Sequence, residues 1–194
     1  MKLAVAFSEQ AFELENSLDL TEQQHMRRFR FEYLQSQYLF AHCFKRRALS
    51  YYCLSYLAHE WHFKHSSAGK PFVANILSKD EKLAFNLSHS GTSVVLALVH
   101  SNHDMAVGVD IERYRSIDDI DSMIDMVCHP QEQKVLEGLT NKEQGFYTLW
   151  TAKEALLKAH GSGLINDLNH LNCKQSLLCV PAYSIEWMGK KYNL

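Results

Sequence analysis

The 194-residue sequence predicts an α+β (α/β) fold made of two similar halves, each a small sheet packed with a long helix. Three observations carry this. Leu34, Tyr38, Ala41 and Ala48 repeat at a loose helical period, and the alternating runs 84–88 and 93–100 follow them. A second long helical stretch, 142–160, is again followed by strand-like sequence, within 176–187. The length suits one domain or two small halves, and a chain of this size buries about 70% of its unfolded surface without needing a metal or disulfide to fold.

Taken in order, residues 2–7 read as a short strand. A helix over 21–29 starts with Thr21 as its N-cap. The helical period over 31–49 continues toward Trp61, and Gly69 and Pro71 break the chain afterwards. A turn at Ser90-Gly91-Thr92 joins the strands 84–88 and 93–100, and a further strand spans 105–112. Helices are expected over 118–127, 131–139 and 142–160, the last ended by Gly161-Ser162-Gly163, with one or two strands in 176–187.

Composition excludes several classes. A net charge of −2 and a pI near 6.6 argue against a dedicated nucleic-acid binder. The longest apolar run, Val94 to Val99, is far short of the roughly 20 residues that span a bilayer. The opening MKLAVAFSEQ has too short an apolar stretch for a signal peptide. Five scattered cysteines without a CxxC motif fit reduced thiols in a cytoplasmic protein. Charge is patterned locally. From Arg27 to Arg47 six basic residues face one acidic residue, and from Asp104 to Asp125 seven acidic residues face two arginines. Such stretches are either solvated faces or receivers of phosphates and cations.

Three segments could carry chemistry. In a strand over 105–112, Gly108, Asp110 and Glu112 share one face, opposite Val107, Val109 and Ile111. Two carboxylates this close repel unless a cation lies between them. Mg²⁺ suits the site because it takes one or two carboxylates and completes its shell with water and phosphate oxygens. On the helix 142–160, Trp150, Lys153, Glu154, Leu157 and Lys158 share a face, while Ala152, Ala155, Leu156 and Ala159 line another. The lysines could hold phosphates and Glu154 could add a third carboxylate; ordinary surface Glu/Lys pairing explains the same spacing. The run Phe85-Asn86-Leu87-Ser88-His89-Ser90 turns Phe85 and Leu87 inward and ends in polar groups able to donate to a phosphate.

In order, GKP (69–71), FNLSHS (85–90), GVDIE (108–112) and WTAKEALLKAHGSGL (150–164) resemble the 4′-phosphopantetheinyl transferases of the Sfp type. The resemblance implies a pseudo-twofold pair of α/β halves, each with a small, mostly antiparallel sheet and a long helix. It implies transfer of the phosphopantetheine arm of coenzyme A to a serine of an apo acyl or peptidyl carrier protein, releasing adenosine 3′,5′-bisphosphate. The coenzyme A nucleotide would lie on the half 1–103 and the metal motifs on the half 104–194, the two forming one compact unit. Carried over by motif position, Asp110, Glu112 and Glu154 would hold Mg²⁺. Lys153 and Lys158 would contact phosphates, and Glu154 would help deprotonate the serine. Lys158 would also steady the leaving phosphate. Ser88, His89 and Arg46 would meet the 3′-phosphate, and Lys70 and Pro71 would lie along the nucleotide. Arg28 and Arg30 are further phosphate candidates. The stretch Tyr33–Tyr38 departs from the pattern, lacking the acidic-basic pair and the extra arginines. Partners would be coenzyme A and an acidic carrier, with a monomeric protein and no nucleic-acid or membrane role.

Two other readings stand beside this one. His59, His62 and His65 could bind a transition metal, although HExH is not the HExxH of zinc proteases. A family member could also bind coenzyme A or a carrier without reacting.

Overall fold

The computed structural model describes residues 2–8, 17–78, 81–161, 163, 167–174, 176, 184–187 and 190–193. The chain divides into two compact units, Met1–Ile111 and Glu112–Leu194. The boundary falls inside the GVDIE motif, so Asp110 belongs to the first unit and Glu112 and Glu154 to the second.

In the first unit, β1 (Lys2–Ser8), β4 (Lys82–Ser90) and β5 (Ser93–Ser101) form an antiparallel sheet in the order β1-β5-β4. Central β5 is the most apolar segment of the chain, with Val94 through Val99 all buried. A two-residue loop joins β4 to β5. Its first residue, Gly91, sits at φ 61°, a left-handed conformation that side chains resist. Helix α1 (Leu20–Met26) is capped by Asp19, not by Thr21. Asp19 accepts from Glu22 N while the Glu22 carboxylate accepts from Asp19 N, a reciprocal box. Helix α2 (Glu32–Tyr52) stops short of the predicted continuation toward Trp61; a loop and a single 3₁₀ turn, Ala58–Glu60, occupy the stretch between. The helix packs Ala48 and Leu49 with Trp61, Phe85, Leu96 and Leu98. Two short antiparallel strands, β2 (Phe63–His65) and β3 (Pro71–Val73), complete the unit.

The second unit opens with α3 (Ile120–Val127) and α4 (Pro130–Glu137), whose Pro130 sits in the first turn, where its missing N–H costs nothing. The long α5 (Lys142–His160) starts at an Asn141 cap and stops at Gly161, φ 82°. Its core joins Ile124, Val127, Leu136, Phe146, Leu149, Leu156 and Leu157. Strands β6 (Ser184–Trp187) and β7 (Lys190–Asn193) form an antiparallel pair. The expected strand region 177–183 and Ser162 lie outside the described residues. The architecture is the expected α+β fold with two similar halves, each uniting helices with an antiparallel sheet. No helix among the described residues is long and apolar enough to cross a membrane.

Candidate functional site

The acidic segment of the first unit is not the predicted strand: residues 104–111 carry no strand structure. The side chains of its neighbours hold it, in place of a backbone ladder. Lys70 Nζ donates to Val107 O at 3.0 Å, Val109 N donates to Asn86 Oδ1 at 2.8 Å, and Ser88 Oγ donates to Asp110 Oδ1 at 2.8 Å. Strand alternation makes this possible. On β4, Phe85 and Leu87 face the α2 side of the sheet, which leaves Asn86 and Ser88, both buried, on the opposite face. The same alternation separates Ser88 from His89. His89 is exposed and borders a 160 Å³ groove with Gln37 and Phe40 of α2, where Gln37 Nε2 donates to Gly91 O.

Two larger cavities flank β3 and β4. One, of about 490 Å³, is bordered by Lys70, Pro71, Phe85, Lys82 and Met105. The other, of about 470 Å³, is bordered by Glu22, Tyr38, His42, Lys45, Phe63 and Pro71. Lys70 and Pro71, singled out from the GKP motif, thus lie at cavity walls. Burial lowers the Lys70 pKa.

Arg46 is not at a surface. Its side chain is 0% exposed and its N–H groups are taken inside the protein. Nε donates to Glu22 Oε2 at 2.7 Å, Nη1 donates to Ala58 O and Trp61 O, and Nη2 donates to Asp19 Oδ2 at 2.7 Å. Lys45 Nζ donates to Glu22 Oε1 at 2.8 Å and lies 3.8 Å from the centroid of the Phe63 ring. Burial pushes the Glu22 carboxyl up. The hydrogen bond with His42 and the charges of Lys45 and Arg46 outweigh burial and hold it well below the usual carboxylate range. His42, stacked on Tyr38 at 3.8 Å between centroids, is shifted down, chiefly by its burial. Arg28 and Arg30 are exposed.

In the second unit, α5 does not carry Lys153 and Glu154 on a common face. Lys153 turns inward with Leu149, Leu156 and Leu157, while Glu154 and Lys158, one turn apart, are half-buried. The reason is Glu132 on α4. Its carboxylate caps His129 N, accepts from Cys173 N and pairs with Lys153 Nζ at 2.7 Å. Lys153 also donates to Val127 O and Leu168 O. All three of its protons therefore have protein acceptors. Glu112 is exposed.

Among the described residues no group of three His, Cys, Asp or Glu side chains is gathered as a metal site. His59, His62 and His65 are all exposed on the short segment around β2, with His65 at the rim of the 470 Å³ cavity. Asp19, Glu22, Asn86 and Glu132 were not among the sequence candidates. The D-x-x-E spacing of Asp19 and Glu22 carries a capping-box signal, and Asn86 shares strand parity with Ser88. Glu132 offered no comparable signal beyond its own cap.

The fold and these motifs define a two-half α+β protein whose acidic segment is clipped to a sheet edge. The family model described as 4′-phosphopantetheinyl transferase superfamily matches residues 106–193, and that described as 4′-phosphopantetheinyl transferase, N-terminal, matches residues 7–101. The chain belongs to the 4′-phosphopantetheinyl transferase superfamily. It is similar to 4′-phosphopantetheinyl transferase HetI of Nostoc sp., 36% identical over 104 residues, covering 53% of this chain and 42% of that protein. It is 38% identical over 109 residues to 4′-phosphopantetheinyl transferase gsp of Aneurinibacillus migulanus, covering 55% and 41%. It is 31% identical over 145 residues to 4′-phosphopantetheinyl transferase psf-1 of Bacillus pumilus, covering 68% and 55%. The matched regions thus span about half the length of these curated relatives.

Proposed function

We propose that this protein transfers the 4′-phosphopantetheine moiety of coenzyme A to a serine hydroxyl of an apo carrier protein and releases adenosine 3′,5′-bisphosphate. The observation that carries the reading is Asp110, whose Oδ1 accepts from Ser88 at 2.8 Å on a segment also anchored by Lys70 and Asn86. A carboxylate fixed in this way is prepared for a cation and not left to wander in solvent. Family membership, with every acidic motif residue in place, supports the same reading.

The donor set is Asp110, Glu112 and Glu154, all carboxylate oxygens without His or Cys, which fits Mg²⁺ by donor chemistry. When bound, Mg²⁺ neutralises diphosphate charge as a Lewis acid. The remaining work falls to the chain's own groups. Glu154 accepts the serine proton as the serine oxygen attacks the phosphorus bearing the pantetheine arm. Lys158 stabilises the negative charge that builds on the leaving bisphosphate as that P–O bond breaks. Lys70 and Pro71 border the nucleotide from the half 1–103, and the half 104–194 brings Glu112, Glu154 and Lys158. Lys153 and Arg46 act as internal supports: Lys153 fixes the inward face of α5, and Arg46 ties α2 to the residues after it. We take the working form to be a cytoplasmic monomer whose partners are coenzyme A and a carrier protein.

Intact-mass spectrometry of apo carrier proteins incubated with the protein, coenzyme A and Mg²⁺ tests the reading. The expected result is a gain of one phosphopantetheinyl group that chelation abolishes. Coenzyme A binding without a mass gain on any carrier would identify a non-catalytic binder and overturn the proposal.

A further inference from the structure

We propose that the turn between α1 and α2 is a docking surface for an acidic helix of the carrier protein. The inference rests on the transfer reading and adds where the protein substrate is held. Its first ground is a breach of local helix rules. Arg30 and Phe31 stand at the entry to the 21-residue α2. A helix N-terminus is the positive end of the dipole, so a cation there is unfavourable. The N-cap position favours Ser, Thr, Asp or Asn, whose oxygen accepts an orphan N–H; Phe31 holds it and makes no side-chain cap bond. Arg27 and Arg28, at the negative end of α1, suit its dipole, but Arg30 and Phe31 gain nothing for their helix. Residues that break local rules in this way mark functional positions.

The second ground is the surface they form. Phe31 and Tyr33 are 51% and 61% exposed, and their rings stack at 5.8 Å between centroids. The Arg30 guanidinium lies 5.7 Å from the centroid of the Phe31 ring. Arg27, Arg28 and Arg30 are exposed, and among the described residues none pairs with a carboxylate. Lys45 and Arg46, by contrast, are matched by Glu22 and Asp19. Between residues 27 and 33 only Glu32 opposes the three arginines. The backbone beneath is fixed. Arg28 N and Phe29 N donate to His25 O and Met26 O, and Gln35 Nε2 donates to Phe29 O at 2.9 Å. The Phe29 ring packs on His25 and Tyr38, both of which border the 470 Å³ cavity, so the surface adjoins that cleft. Arg47, also exposed, lies about 23 Å further along α2 and is not part of it. Exposed arginine and aromatic side chains on a fixed backbone are the composition of interface hot spots. Three unmatched guanidinium groups select clustered carboxylates, and the aromatic pair selects an apolar side chain beside them. An acidic amphipathic helix supplies both.

Steady-state carrier modification tests this, with carrier and coenzyme A varied in turn and circular dichroism verifying the fold. The variants are Arg27→Glu/Arg28→Glu/Arg30→Glu, Phe31→Ala/Tyr33→Ala, and Arg30→Glu alone. The single variant places an acid at the N-terminus of α2, where it favours the helix, so misfolding does not obscure its result. The expected outcome is a KM for the carrier raised about tenfold or more in the triple variant, and raised to a smaller extent in the other two, with kcat and the KM for coenzyme A unchanged. The salt dependence of kcat/KM for the carrier should weaken in the triple variant. An unchanged carrier KM, or a rise confined to the KM for coenzyme A, overturns the inference and leaves the transfer reading standing. Binding to phosphatidylserine vesicles that the triple variant loses, with an unchanged carrier KM, assigns the surface to a membrane and also overturns it. If the unaltered protein modifies no carrier, the transfer reading falls and this inference with it.

Discussion

Lys153 and Glu132 form an ion pair of 2.7 Å in which both side chains are 0% exposed. Two charges removed from water are stabilised by each other, by the hydrogen bonds from Lys153 to Val127 O and Leu168 O, and by those from His129 N and Cys173 N to Glu132. Lys153→Ala leaves Glu132 buried and uncompensated, and is expected to cost about 3–5 kcal/mol of stability. Urea unfolding followed by far-UV circular dichroism measures this. An unchanged midpoint, with activity lost, would instead place Lys153 at the substrate.

Acid should weaken the first unit through Glu22 and His42. The folded pKa of Glu22 is depressed, so its stabilisation is complete above the unfolded value of about 4.3 and is lost as pH falls below it. His42 is also depressed, by burial first, so its contribution is present above about 6.5 and declines as pH falls. Thermal unfolding across pH 7 to 3 is expected to show a falling melting temperature. In Glu22→Gln the protein starts less stable at pH 7, and the part of the slope below about pH 4.3 flattens. An equally steep slope in that variant would contradict the assignment.

Ser88 Oγ donates to Asp110 Oδ1, and on the proposed reading it positions that carboxylate for the cation. Ser88→Ala removes the hydroxyl that orients the carboxylate, and the loss of such a supporting hydrogen bond typically costs about 10–100-fold in metal affinity or activity. The expected signature is a higher Mg²⁺ concentration for half-maximal transfer, partly recovered at saturating Mg²⁺. A drop that no Mg²⁺ concentration relieves, or no drop, would count against it.

Cys43, Cys53, Cys128 and Cys173 are all buried free thiols, and burial pushes the Cys128 thiol up to about 12. With Cys179→Ser as background, the folded protein should give no fast reaction with a disulfide reagent at pH 8. The four thiols should react once urea unfolds the chain. Fast labelling of Cys128 in the folded state would contradict the packing of the second unit.

The residues explain how much of this was legible beforehand. The hairpin β4–β5 and the helix α5 follow from period and punctuation, because Gly91 and Gly161 adopt the left-handed backbone their positions require. The region 105–112 alternates like a strand yet forms no ladder. The side chains of Lys70, Asn86 and Ser88 hold it by hydrogen bonds where a sheet would use a backbone partner. Lys153 reads as a phosphate ligand from its charge and spacing, and Arg46 only from the family resemblance. Their partners Glu132, Asp19 and Glu22 come from other helices and caps, which helical periodicity within one element cannot reveal.

The most direct test of the central claim is the rate of carrier modification by Asp110→Ala relative to the unaltered protein. Intact mass follows the reaction, and circular dichroism verifies the fold. The account predicts an unchanged fold and a rate lower by about 10²–10³. A folded Asp110→Ala protein that modifies the carrier at full rate would contradict it.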